Sequence, residues 1–163
     1  MILLVSAAVV LDFKTWRIPN WLVLIGMETG IFVTIQREGW RMGGIQVVLG
    51  IVLPIALLFL LFQFGFLGAG DIKLLSVIGS MIGPTKILNC ISYSFLIGAV
   101  ISAALMISSG IVCQRIHYLL HYISAYFKTG KREPYYKSGM PLENFHFTVP
   151  IFLSALLYAG GVY

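Results

Sequence analysis

The sequence predicts an all-α polytopic membrane protein with about six transmembrane helices. Its mean hydropathy is +0.94, and only 10% of its 163 residues are charged, against about 25% in an ordinary soluble domain. Several apolar runs approach or exceed the roughly 18–20 residues that a helix needs to cross a bilayer. Little chain remains between these runs, so we expect one transmembrane domain over residues 1–163 and no separate soluble domain.

Proline, glycine and charged residues divide the apolar runs. Pro19 is expected to end the first span, because proline disfavours helix at the residue before it. The fourth span is expected to begin near Asp71 and to stop at the Gly-Pro-Thr of residues 83–85. The predicted spans cover about residues 2–18, 20–36, 43–64, 71–82, 87–113 and 145–163. The longest connection, about residues 114–144, is predicted to be a loop on one side of the membrane.

The distribution of basic residues predicts the orientation. With six spans, one side of the membrane receives eight of the 11 basic residues: Lys14, Arg17, Lys73, Arg115, Lys128, Lys131, Arg132 and Lys137. The other side receives Arg37, Arg41 and Lys86. The positive-inside rule then places the first set and the long loop in the cytoplasm and both termini outside, in the plasma or inner membrane. The net charge of +5 therefore indicates contact with anionic lipids and no nucleic-acid partner.

Asp12 and Asp71 are the only aspartates in the chain. Asp12 is predicted near the cytoplasmic end of span 1, about 9 Å from that end if the helix continues to Ile18. Asp71 is predicted at the cytoplasmic start of span 4, so the two carboxylates reach the same side at similar depth. Two carboxylates at close range share a proton, which provides one acid and one base at the same pH. Hydrolysis by an activated water requires this division of roles.

Each aspartate also has a structural interpretation. Asp71 can cap the start of a helix, and Asp12, two residues before Lys14, can simply mark the membrane interface. The presence of both on one side of six spans favours the functional interpretation. Gly68 and Gly70 leave the backbone next to Asp71 open to the close approach of a substrate or helix, and Pro19 helps to open this end of the bundle to water.

No metal or cofactor is expected. His117 and His121 have the four-residue spacing of two metal ligands on one helix face, but no glutamate lies between them in a metalloprotease pattern and no third ligand is near. An amphipathic helix lying at the membrane interface explains this segment better. The two cysteines, Cys90 and Cys113, are far apart and form no CxxC pair, so they are interpreted as buried apolar residues.

Glu28 is predicted in the middle of span 2. Two interpretations are open: a protonated glutamate hydrogen-bonded between helices, or a residue lining a substrate groove. A neutral, paired acid costs less free energy in the membrane than a charge, which favours the first.

Two motifs resemble those of a known family. The pattern D-x-K-x-x-R-I-P-N at Asp12–Asn20 and the run G-A-G-D-I-K-L at Gly68–Leu74 resemble the type IV prepilin peptidases, membrane aspartic proteases of the GxGD class. The order of the motifs, their separation and the predicted sidedness also agree. The resemblance implies that Asp12 and Asp71 form the catalytic pair, and that they polarise a water without a covalent intermediate or a metal.

The resemblance also implies a substrate. It would be a prepilin or pilin-like precursor, cut on the cytoplasmic side between its basic leader and its apolar helix. Lys73 matches the family's lysine, and its role stays open between snorkelling to the headgroups and contact with a carboxylate or the substrate backbone. Arg17, Pro19 and Asn20 match the first motif and are interpreted as structural support for the site.

The sequence departs from the large bifunctional members of that family. Those carry an extra cytoplasmic domain with paired CxxC motifs, which is associated with methylation of the new N-terminus. The short first loop and the missing CxxC motifs predict no N-terminal methylase or zinc domain. The chain looks like the compact, peptidase-only branch found with tight-adherence pili or archaeal preflagellins.

Three alternatives stay open from the sequence. A presenilin-like or signal-peptide-peptidase-like enzyme shares GxGD, but its other aspartate follows a tyrosine, whereas Leu11 precedes Asp12 here. A small proton-coupled transporter could use Asp12 and Asp71 as relay carboxylates, although the duplicated halves of many such folds are missing. A structural subunit of pilus assembly is the third.

Overall fold

The computed structural model describes residues 1–108, Gly110, His117, Leu120, Ser124 and 146–163. These residues contain no strand, and the helices with defined bounds number six. They are α1 (Ile2–Thr15), α2 (Asn20–Glu38), α3 (Trp40–Gln63), α4 (Ala69–Ile82), α5 (Pro84–Ser108) and α6 (Thr148–Ala159). Within the described chain, the all-α class is confirmed.

Two of these helices are long and apolar enough to cross a membrane. They are α3, with 24 residues, and α5, with 25, which correspond to lengths of roughly 36 and 38 Å. The helices α1 and α4 have 14 residues each and α6 has 12, below the roughly 20 residues of a perpendicular span. The described residues thus show two candidate spans, and a count of six stays a prediction.

Helix α4 lies at the centre of the bundle. Its buried residues occur on every side of the helix, which is typical of a core helix: Leu74, Leu75, Ser76, Val77, Ile78, Gly79, Ser80 and Ile82. It packs against α2, α3 and α5. Three neighbours therefore fix the helix that carries Asp71 in its first turn.

Small residues allow α2 and α3 to approach α4 closely. A Cβ atom added at Gly30 of α2 would overlap the hydroxyl of Ser80, and one added at Gly50 of α3 would overlap the backbone carbonyl of Gly79. The Thr34 hydroxyl donates a buried hydrogen bond of 2.7 Å to the carbonyl of Ser80. Backbone contact through small residues, reinforced by such a bond, is the common way that apolar helices associate in membranes.

Helix α6 packs against α1 and α5, whereas α1 has little contact with α2. The Ser154 hydroxyl of α6 donates a hydrogen bond of 2.9 Å to the carbonyl of Cys90 in α5. Cys90 is a buried free thiol, as the sequence predicts, and Cys113 lies outside the described residues. The first helix is thus held in the bundle mainly by the last described helix.

The two ends of the bundle carry different basic residues. Arg37 and Lys86 line a cavity where α2 and α4 end, and Arg17 and Lys73 line another where α2 and α4 begin. The 19 residues of α2 separate the two cavities by about 28 Å. These four basic residues are therefore divided between the two ends of the bundle as the sequence predicts. Which end faces the cytoplasm stays a prediction.

Glu28 lies on the outer surface of α2. Its side chain is exposed and borders a groove of about 540 Å³ together with Ile31, Phe32 and Trp40. None of the described residues forms a hydrogen bond or an ion pair with it. The expectation of an acid buried between helices is wrong, because α2 turns its opposite face, with Gly26 and Gly30, toward α4.

Candidate active site

A cavity of about 690 Å³ lies where α1 ends and where α2 and α4 begin. All eight site residues predicted from the sequence line it: Asp12, Arg17, Pro19, Asn20, Gly68, Gly70, Asp71 and Lys73. Thr15, Trp16, Ile18 and Ala69 complete the lining. The fold therefore brings the two motifs, which are about fifty residues apart in the chain, to one concave site at the end of the bundle.

Helix α1 ends earlier than the sequence predicts. Its last residue is Thr15, and Trp16 takes a left-handed backbone conformation with φ 56° that closes the helix. The N–H of Trp16 donates a hydrogen bond of 2.8 Å to the carbonyl of Asp12. The expected continuation to Ile18 is wrong, and Asp12 lies in the last turn of α1, about 5 Å from the end of the helix.

Asp71 is the third residue of α4, whose N-cap is Gly68. The backbone N–H of Gly68 interacts favourably with the Asp71 carboxylate, and Asp71 occupies the position of the acidic residue in a capping box. The positive end of the helix dipole also favours a negative charge in this turn. Asp71 therefore stabilises the start of α4, and the same side chain lines the cavity.

The two aspartates interact electrostatically across the cavity. They occupy opposite kinds of helix end, because Asp12 lies in the last turn of α1 and Asp71 in the first turn of α4. The helix dipole favours a carboxylate at the second position and disfavours one at the first. The stabilisation of Asp12 must therefore come from other groups.

His146 and Thr148 provide the contacts that stabilise the Asp12 carboxylate. The His146 Nδ1 lies 2.8 Å from the Asp12 Oδ2, and the Thr148 hydroxyl donates a hydrogen bond of 2.8 Å to the same oxygen. The side chains of His146 and Asp12 are only 8% and 14% exposed. The imidazole packs on two aromatic rings of the α1 end, with centroids 4.3 Å from Phe13 and 4.0 Å from Trp16.

Neither partner of Asp12 was found from the sequence. His146 follows the long loop at the start of the last apolar segment, 134 residues after Asp12, and no spacing rule connects the two. The histidines with a recognisable spacing, His117 and His121, are not part of the site: His117 is exposed, and His121 lies outside the described residues. A survey of polar residues at the ends of all predicted spans on the aspartate side would have included His146 and Thr148.

Lys73 and Asn20 bridge the rim of the cavity. The Lys73 ammonium donates a hydrogen bond of 2.9 Å to the Asn20 side-chain carbonyl, which connects the start of α4 to the start of α2. Lys73 forms no ion pair with Asp12 or Asp71. Pro19 is the N-cap of α2 with an extended backbone, so this part of the motif determines where α2 begins.

The two glycines of the second motif have different surroundings. A Cβ atom at Gly68 would lie 3.1 Å from the Asp71 Oδ2, whereas one at Gly70 would meet Ile18 at ordinary contact distances of 3.4–3.6 Å. Gly68 thus leaves room for the carboxylate. No group of three or more potential metal ligands occurs among the residues with described positions.

Comparison with known protein families agrees with the motifs. The model of the type IV leader peptidase family matches residues 1–103, which include both aspartates and every other residue of the two motifs. The chain belongs to the type IV leader peptidase family. Neither the comparison with curated proteins nor that with solved structures found a match.

Membership confirms the resemblance seen in the sequence and identifies the protein as a membrane peptidase. It favours a peptidase over the transporter and the assembly subunit that the sequence left open. His146 and Thr148 lie beyond the matched residues, so their place beside Asp12 is known from the geometry alone.

Proposed function

We propose that this peptidase is a membrane-embedded aspartic endopeptidase that removes the basic leader from prepilin or pilin-like precursors. The observation that carries the proposal is the meeting of Asp12 and Asp71 in one cavity, within electrostatic reach of each other. Family membership adds the class of reaction.

The reaction needs one ionised and one protonated carboxyl group. The ionised group takes a proton from a water molecule, whose oxygen attacks the scissile carbonyl carbon, while the protonated group gives its proton to the carbonyl oxygen. When the tetrahedral intermediate collapses, the C–N bond breaks and the leaving nitrogen takes the proton that the first aspartate received from water. One hydroxyl group of the intermediate returns its proton to the second aspartate. The peptide and the water become an acid and an amine, and both aspartates return to their starting states.

The position of the cavity supports a cut at the boundary between leader and helix. It lies at the ends of three helices, where a polar leader can remain in water while an apolar segment follows the bundle into the membrane. A presenilin-like cut inside a transmembrane helix would require the substrate to unwind at this end. Of the two protease alternatives, the geometry therefore favours removal of a leader over a cut inside a transmembrane helix.

We also propose that the site faces the cytoplasm, that both termini lie outside and that residues 1–163 form a single peptidase-only domain. The excess of basic residues on the predicted loops of the site end supports the orientation. A cysteine in place of the exposed Lys14 tests it in a variant whose native cysteines are replaced. It should react with an impermeant thiol reagent in inverted vesicles and stay unmodified in intact cells; the opposite pattern would reverse the orientation.

The direct test is cleavage in vitro. The full chain, purified in detergent or liposomes, is incubated with a precursor from the same organism that carries a short basic leader, and the N-terminus of the product is sequenced. The wild type should cut between leader and apolar helix. Asp12→Asn and Asp71→Asn should each lower the rate by at least about 100-fold, the lower range for loss of a general acid or base.

A matched control uses the same chemical change at the other end of the bundle. Glu38 is paired with Arg37 there, so Glu38→Gln should leave cleavage unchanged. Thermal unfolding of each variant shows whether it is folded. Undiminished cleavage by either folded aspartate variant would refute the catalytic pair, and a cut inside the apolar helix would replace leader removal with the presenilin-like alternative.

A further inference from the structure

We propose that His146 and Thr148 are positioning residues that hold Asp12 in its reactive orientation. The proposal rests on the function proposed above and adds to it two residues that neither sequence motif contains. Its basis is the pair of hydrogen bonds on Asp12, together with the packing and backbone conformation around them.

Both hydrogen bonds reach the same oxygen of Asp12. The His146 Nδ1 and the Thr148 hydroxyl lie 2.8 Å from Oδ2, and no described residue donates to Oδ1. An ionised carboxylate only accepts hydrogen bonds, so the Nδ1 atom carries the proton in that state. Two donors on one oxygen fix the rotation of the carboxylate and leave Oδ1 available to water or to the substrate.

Helix electrostatics explain why Asp12 needs these donors. Asp71 has the N-terminal end of α4 and the N–H of Gly68 to stabilise a negative charge, whereas Asp12 faces the negative end of α1. Donors from outside the helix offset this disadvantage. Because Thr148 is the first residue of α6 and His146 lies two residues before it, both reach Asp12 through the packing of α6 on α1.

The packing around His146 supports a specific role for its imidazole beside Asp12. Trp16, which packs against the imidazole at 4.0 Å, is the one non-glycine residue of the described chain with a positive φ. A left-handed conformation costs an L-residue free energy and persists where the surrounding contacts determine it. Here it ends α1 and brings an aromatic ring against the histidine that binds Asp12.

The competing interpretation is that His146 only packs α6 against α1. Two substitutions separate the alternatives. His146→Phe keeps an aromatic ring beside Phe13 and Trp16 but removes the donor, and His146→Asn keeps a donor near the position of Nδ1 but removes the ring. At the second donor, Thr148→Val removes the hydroxyl with little change in shape, and Thr148→Ser restores it.

The experiment measures kcat and KM of the full-length variants on the basic-leader precursor. His146→Phe and Thr148→Val should each lower kcat by about 10- to 100-fold, the effect of losing a hydrogen bond to a charged group. KM should change little, because the lost interaction orients a reacting group and does not bind the substrate. His146→Asn and Thr148→Ser should recover most of kcat.

A second measurement does not depend on cleavage. A water-soluble carbodiimide labels accessible carboxyl groups, and mass spectrometry gives the rate of labelling at Asp12. Loss of a donor should raise that rate several-fold in His146→Phe and Thr148→Val, and the two conservative variants should return it to the wild-type value.

The outcomes distinguish this proposal from the proposed function. If the wild type cuts no precursor, the proposed function fails, and the labelling rates still decide whether His146 and Thr148 hold Asp12. If the wild type cuts and His146→Phe is active while His146→Asn is not, the ring matters and positioning is refuted. An increase in KM at constant kcat, or unchanged labelling, would also overturn it.

Discussion

Replacing Gly50 by alanine should separate α3 from α4 and destabilise the protein. A Cβ atom at this position would overlap the backbone carbonyl of Gly79, and a Cβ at Gly79 would overlap that of Gly50. Each contact is with backbone, so no rotation of a flexible side chain can make room. One of the two helices must move, although α4 is packed on all sides.

The magnitude follows from two opposing contributions. Alanine in place of glycine inside a helix gains up to about 1 kcal/mol. Overpacking costs typically 1–3 kcal/mol and more where the backbone has to shift, so we take about 3 kcal/mol for the contact with Gly79. The net loss is about 2 kcal/mol. For a chain of this size, roughly 2–4 °C of Tm corresponds to 1 kcal/mol, which predicts a Tm lower by about 4–8 °C.

Gly44 provides the matched control in the same helix. A Cβ there meets no atom within 4 Å, so Gly44→Ala should keep the gain in helix propensity and raise Tm by about 2–4 °C. Both variants are heated in the same detergent, and unfolding is followed by circular dichroism. A Gly50→Ala protein as stable as Gly44→Ala would show that α3 and α4 do not cross at Gly50 and Gly79.

Two further predictions concern the rim of the site. Gly68→Ala should lower kcat several-fold at nearly unchanged Tm: its φ of −76° and ψ of 147° suit alanine, but the new Cβ would lie 3.1 Å from the Asp71 Oδ2 and shift the carboxylate. A loss of stability without loss of kcat would contradict this explanation. Lys73→Met and Asn20→Leu should each lower the free energy of unfolding by less than about 1 kcal/mol. The double variant should be destabilised by no more than one single variant, because both substitutions remove the same hydrogen bond. Additive losses in that cycle would show that the bond is not formed.

Much of the candidate site could be predicted from the sequence because its two motifs lie at helix ends on one side of the bundle. Asp12 and Asp71 were expected at the same end, and the structure places both in one cavity. Pro19 predicts an end of the first helix at about residue 18, but nothing in a tryptophan predicts the left-handed turn at Trp16 that ends it three residues earlier. In the structure the Trp16 ring packs on His146, a contact distant in sequence that no local pattern indicates.

The hydrogen-bond partners of Asp12, His146 and Thr148, could not be predicted from the sequence, because they reach Asp12 only through tertiary packing. His146 is ordinary in its local context, and only the packing of α6 on α1 gives it a role. Glu28, in contrast, could have been placed correctly. It lies two residues from both Gly26 and Gly30, which puts it on the opposite face of the helix, and the glycines mark the face that packs against α4.

The pairing of α1 with α6 has a consequence for biosynthesis. A ribosome makes the segment with Asp12 first and the segment with His146 and Thr148 after α5, so the nascent chain carries both aspartates well before the support for one of them exists. If the proposed role of these residues is correct, newly made enzyme has a strongly reduced kcat until α6 docks against α1. Synthesis of the last described helix would then be the step that brings the peptidase to full activity.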